Sequence, residues 1–125
     1  MKVLAFLGRI FYALPFGVFG INHLRHAKQM AGIVPAIIPA PVFWVYFTGA
    51  GLIISCIFIL FKIRHADFIA MLLALMLLSF IALIHIPGMV SGDPQRAMMA
   101  MGSLLKDTSL MGGALTYAVI LARKK

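Results

Sequence analysis

The sequence predicts an all-α, polytopic membrane protein: a four-helix transmembrane bundle built as one domain over residues 1–125. Three observations predict it. Hydrophobic residues make up 63% of the 125 residues and charged residues 11%, whereas a soluble domain carries about 25% charged residues to cover its surface. The apolar residues gather in four runs, about 3–22, 42–61, 67–86 and 104–122, each close to the roughly 20 residues a helix needs to cross the hydrocarbon core. The basic residues stand mostly at the ends of those runs, 11 Lys and Arg against three acids, all Asp. That placement suits phospholipid headgroups; a nucleic-acid partner calls for a Lys/Arg stripe on a soluble face and is not expected. Cys56 is the one cysteine, so an internal disulfide and a dithiol couple are excluded and the thiol reads as packing.

The first run opens with Lys2 and resembles a signal peptide, but Arg9 interrupts it and no small-x-small cleavage site follows, so it reads as a retained helix. Pro15 and Gly17 are expected to kink it. Arg9, Ala13, Phe16, Gly20 and His23 share one face by helical spacing, polar at both ends and small between, as a bundle-facing stripe should be. Residues 33–41 are apolar, too short to span, and broken by Pro35, Pro39 and Pro41, which forbid a continuous helix. They are expected to lie in the interface or dip in against protein, as an apolar lid.

The second span opens with Trp44 and Tyr46, aromatic residues favoured at headgroup depth. Trp44, Thr48, Gly51, Ser55 and Lys62 fall on one face. A tight turn at 62–66 leads to the third span, where Asp67, Ala70, Met71, Ala74, Leu78, Ala82 and His85 share a face and Pro87-Gly88 is expected to stop the helix. Asp93-Pro94 is a helix start, and Met98, Met99 and Met101 suggest a short interfacial helix before the fourth span. There Asp107, Met111, Ala114 and Ala118 form one stripe, with Lys106, Gly113 and Tyr117 beside it. Lys2, Lys62, Arg64, Arg123, Lys124 and Lys125 then lie on one side of the bilayer and Arg25, Lys28, Arg96 and Lys106 on the other. The positive-inside rule puts both termini in the cytoplasm, and the inner (plasma) membrane is the expected location.

Several short motifs carry a resemblance to a family. They are Gly8-Arg9, Gly20-x-x-His23, the proline-punctuated stretch 33–41, Tyr46-x-Thr48-Gly49, His85-Ile86-Pro87, and Lys106-Asp107 with Gly112-Gly113-Ala114. Together they resemble the DoxX family of small four-helix membrane proteins. Where many members carry an acid at the start of helix two, this chain has Leu52. The resemblance implies a redox or quinone context: an accessory or quinone-interacting subunit of a membrane oxidoreductase system, with membrane lipids, a redox-complex subunit or a second copy of the chain as partners.

The candidate site gathers the polar residues at one end of the spans: His23, Trp44, Thr48, His85, Lys106 and Asp107. Two imidazoles, a carboxylate and an indole suit a quinone headgroup, whose carbonyls need hydrogen-bond donors and whose reduction needs a proton source. The plainer alternative is that His23 and His85 cap helix ends and bond headgroups. No metal-ligand signature accompanies His23 and His26, so neither metal nor haem is expected. At the other end Arg9 is expected either to pair with Asp67 and Tyr117 or to snorkel to headgroups. A non-enzymatic scaffold or assembly partner is the rival reading, with the Met-rich loop and residues 33–41 as adaptable contact surfaces. A small proton-coupled transporter fits less well, because no span carries an acid near its middle.

Overall fold

The computed structural model describes residues 1–33 and 39–123. Four long helical segments pack side by side. Helix α1 spans Lys2–Arg25, the short α2 Ala27–Met30, α3 Pro41–Phe61 and α4 Ala66–Phe80. A π-helical turn, Ile81–His85, carries α4 on into α5, Ile86–Met89, and α6 covers Pro94–Arg123. No strand occurs among the described residues. Three helices are long and apolar enough to cross a membrane: α1, α3 and the continuous stretch Ala66–Met89. Helix α6 is the longest, with 30 residues, but is less apolar than these three.

Each helix packs on its chain neighbour or on the opposite end of the chain, giving the cyclic order α1, α3, α4, α6. Lipid tails are as apolar as leucine, so van der Waals fit rather than water sets the faces. The face read on α1 is the buried one: Ala13, Phe16 and Gly20 are all enclosed. The helix runs unbroken through Pro15. Its closest approach is to α3, where a Cβ on Gly20 would lie 2.6 Å from the Gly49 carbonyl oxygen and one on Gly49 would lie 2.8 Å from the His23 Cβ. That crossing rotates α3. Its buried residues are Val45, Gly49, Leu52, Ser55, Cys56 and Ile59, so the expected Trp44–Thr48–Gly51 face is displaced to the side, and only Ser55 of that set is enclosed.

Two expected helix ends are also corrected. Pro87-Gly88 does not stop the third span: the Ile86 N–H bonds the Ile81 carbonyl five residues back, and the helix continues to Met89. Proline cannot donate to the carbonyl four residues back, and a π turn is one way for a helix to carry it. The short interfacial helix expected at Met98–Met101 is part of α6, which runs in one piece from Pro94. Asp93 caps it as its sequence requires, its carboxylate accepting from the Gln95 N–H at 3.1 Å. The turn between α3 and α4 is tight because Lys62 and His65 both take left-handed backbone angles, φ 50° and 69°.

Both α6 stripes find partners. Asp107, Ala114 and Ala118 are buried within the interface with α4. The neighbouring stripe meets α1: a Cβ on Gly113 would lie 2.5 Å from Tyr12 Cε1, Tyr117 lies 5.0 Å ring to ring from Tyr12, and the Tyr12 hydroxyl donates to the Leu110 carbonyl. Replacing Gly113 by Leu is therefore expected to destabilise the protein in detergent by about 1–3 kcal/mol, the usual cost of overpacking. Gly20→Leu should cost more, because its neighbour at 2.6 Å is backbone and cannot swing aside. Thermal melting of the two variants checks both; an unchanged midpoint for Gly20→Leu would mean α1 and α3 do not cross there.

Candidate functional site

The site is built where α6 carries charge past the end of α4. Asp107 is 5% exposed and is the one buried charged residue among the described residues. A carboxylate in so apolar a place needs hydrogen bonds and an opposite charge. His85 supplies the first: its Nε2 lies 2.6 Å from Asp107 Oδ2. His85 is the last residue of the π turn, and its side chain is 14% exposed. Lys106 supplies the second, with Nζ 3.7 Å from Asp107 Oδ1. Its side chain is 52% exposed, so the ion pair is partly screened and contributes less than the imidazole contact. The ammonium also sits 5.0 Å from the centre of the Phe19 ring of α1, within cation–π range.

With Nε2–H donated to the carboxylate, the His85 ring has Nδ1 as its remaining functional atom. The neutral ring accepts there and the imidazolium donates there. The carboxylate fixes the ring's orientation.

A cavity of about 750 Å³ opens against this pair, walled by His23, His85, Lys106, Asp107, Phe19 and Arg96 among others. Four of the six candidate residues thus share one space. His23 contributes differently from His85, since its Nδ1 donates to the Phe19 carbonyl of its own helix at 2.6 Å. Trp44 and Thr48 do not face this cavity. The rotation of α3 turns them into an adjoining groove of about 670 Å³ between α3 and α4, which His23 also borders. Gly32, just before the expected lid, walls the main cavity; the lid itself, 33–41, lies largely outside the described residues, at 34–38. Among the described residues no three His, Cys or acidic side chains gather as a metal set would.

At the opposite end Arg9 donates from Nε to the Leu60 carbonyl at 3.0 Å and lies 5.6 Å from the Phe6 ring centre. Leu60 belongs to the last turn of α3, whose carbonyls have no intrahelical partner and carry the negative end of the helix dipole. Asp67 stands in the first turn of α4, the favourable end for an acid. Tyr117 stacks at a tilt on Tyr12. Sequence reasoning missed Phe19, Gly49 and Arg96. Only Gly49 left a signal, as the glycine after Thr48.

The pair predicts a measurable coupling. In a double-mutant cycle of His85→Ala and Asp107→Ala, followed by thermal unfolding in detergent, the two changes should be non-additive by about 0.5–3 kcal/mol. Strict additivity would show that the two side chains do not interact.

Compared with known proteins, the chain matches no family model, no curated protein and no solved structure.

Proposed function

We propose that the chain is an accessory membrane protein of a redox system that binds a quinone-type headgroup at the His85–Asp107 pair. The single observation that carries this reading is the 2.6 Å contact between a buried carboxylate and an imidazole on the wall of a cavity of about 750 Å³. A structural ion pair needs no adjoining space; a binding site does. The residues suit the group: Phe16, Phe19 and Phe80 offer flat apolar walls, and His85 and Lys106 offer donors to ring carbonyls. A bound quinone would supply two-electron redox chemistry. The chain's own part is to orient the ring, to hold a proton at His85 Nδ1 and to place the Asp107 carboxylate against that imidazole. The motifs that resemble the DoxX family support the same redox setting.

In this reading α6 is the fourth span. Its Asp107 and Lys106 face the bundle interior and its mouth, where charge is tolerated in a membrane helix. The positive-inside rule then sets both termini and the 62–66 turn in the cytoplasm of a cell whose inner membrane holds the chain. In a Cys56→Ser background, a membrane-impermeant maleimide should label Ser91→Cys in intact spheroplasts and Ile63→Cys only after lysis. The reverse pattern would invert the topology.

The ligand is tested by native purification, mass spectrometry of the lipid extract and an absorption spectrum. Quinone enriched with the wild-type protein and lost from His85→Ala and Asp107→Ala is the expected result. Equal quinone in all three would remove the pair from binding. A second reading, a non-enzymatic scaffold, draws on the exposed Met98, Met99 and Met101 of α6, flexible side chains suited to an adaptable contact. Co-purification of a redox subunit with no quinone would favour it.

A further inference from the structure

We propose that the groove between α3 and α4 is a second subsite that takes the apolar tail of the molecule whose headgroup sits at His85 and Asp107. The ligand is then a long-chain amphiphile that enters sideways from the bilayer, not a water-borne molecule. The inference rests on the headgroup reading above and adds the class of ligand and its route.

The two spaces are continuous in their walls. His23, Phe80 and Ile84 border both the cavity at the pair and the groove of about 670 Å³. Their linings differ in the way a head and a tail differ. Arg96, Lys106, Asp107 and His85 line the first. The second is walled by Leu72, Met76 and Leu83 with Gly51 between the helices. Its polar members His23, Trp44 and Thr48 come from the end of α1 and the start of α3, which lie at the level of the pair. The serines deeper in the groove are already satisfied by their own helices: Ser55 donates to the Gly51 carbonyl at 2.8 Å and Ser79 to the Leu75 carbonyl at 3.0 Å. An apolar chain lying there leaves neither hydroxyl without its bond.

The direction of the groove is also that of a tail. Along α3 it runs from Trp44 to Ser55, about 16 Å at 1.5 Å per residue. Along the antiparallel π turn and α4 it runs from Ile84 to Ile69. It therefore starts beside the pair and goes down towards the 62–66 turn, parallel to the lipid chains. Within it the Met76 side chain lies over Gly51, where a Cβ would be 2.6 Å from the Met76 methyl. The Met76 side chain is flexible and can follow a chain's contour.

The test compares a benzoquinone without a tail and the same ring with a decyl chain, bound to the purified full chain in detergent. Quenching of Trp44, the one tryptophan, reports binding. Wild type should bind the decyl compound at least about tenfold tighter. Ser79→Phe, which fills the groove without a new indole, should remove that advantage and leave the tailless compound's affinity unchanged. Partition into micelles is the same for both proteins, so the difference isolates the groove. If Ser79→Phe melts early, Leu83→Phe on the same wall replaces it. Equal decyl affinity in wild type and variant overturns the tail subsite while the headgroup reading stands. A phospholipid competing as well as the decyl quinone also overturns it, by making the groove a general lipid contact. Failure of wild type to bind either quinone sinks the headgroup reading and this inference with it.

Discussion

The structure depends on one costly placement, the carboxylate of Asp107 inside an apolar bundle. Left alone there, an ionised carboxyl is worth several kcal/mol against the fold. Three helices are arranged around relieving that cost. The π turn that follows α4 brings His85 to 2.6 Å, α6 itself brings Lys106 to 3.7 Å, and α1 holds the Lys106 ammonium over Phe19. Once Asp107 faces inward, helical spacing leaves little freedom for the rest of α6. Ala114 and Ala118 must be buried below it, and the residues one position away must face α1. Gly113 and Tyr117 do so, and the Tyr12 hydroxyl closes on the Leu110 carbonyl one turn before Gly113.

The other half of the bundle is governed by steric fit instead. Nothing in lipid drives α1 and α3 together, so the two glycines that let their backbones touch decide how α3 is turned. Gly20 against Gly49 buries Leu52 and Ile59 and sends Trp44 and Thr48 to the flank. The same crossing sets His23 at the border between the cavity and the groove. The chemistry at one end of the molecule is therefore divided in two by a packing contact that carries no chemistry itself.

This division explains what was legible in the sequence. The faces of α1 and α6 could be read because each combines small residues with a charge that has only one tolerable direction. Helix α3 has no charge inside its apolar stretch and offers both Gly49 and Gly51; which glycine makes the crossing depends on the partner helix, and the choice of Gly51 missed by about half a turn. Pro87 reads as a stop because a proline normally ends a helix. The π turn that carries the chain past it leaves no mark in the pattern of apolar residues. The continuity of α6 through Met98 to Ser103 was hidden for a related reason, since a polar stretch near the interface looks the same whether the helix pauses or continues. Side chain to backbone bonds, such as Arg9 to Leu60 and Tyr12 to Leu110, lie beyond any residue pattern, because every residue has a carbonyl.

The two ends of the bundle differ in how they satisfy charge, and the proposed headgroup site belongs to only one of them. At the 62–66 end Arg9 is held by a carbonyl in the final turn of α3. That partner is fixed in place and already part of a helix, so the contact has a structural use and needs no third molecule. At the other end an acid is held by a side chain that can change its proton count. An imidazole bonded at Nε2 still has Nδ1 to offer, and a cavity lies against it. A pair built only for stability would gain from closing that space, because filling a void adds contacts at no electrostatic cost. Here the chain keeps the void open next to its one buried acid among the described residues. The wider turn that ends in His85 is of a kind that recurs at functional sites. In the proposed reading, the geometry that makes Asp107 tolerable is the same geometry that would hold a second molecule.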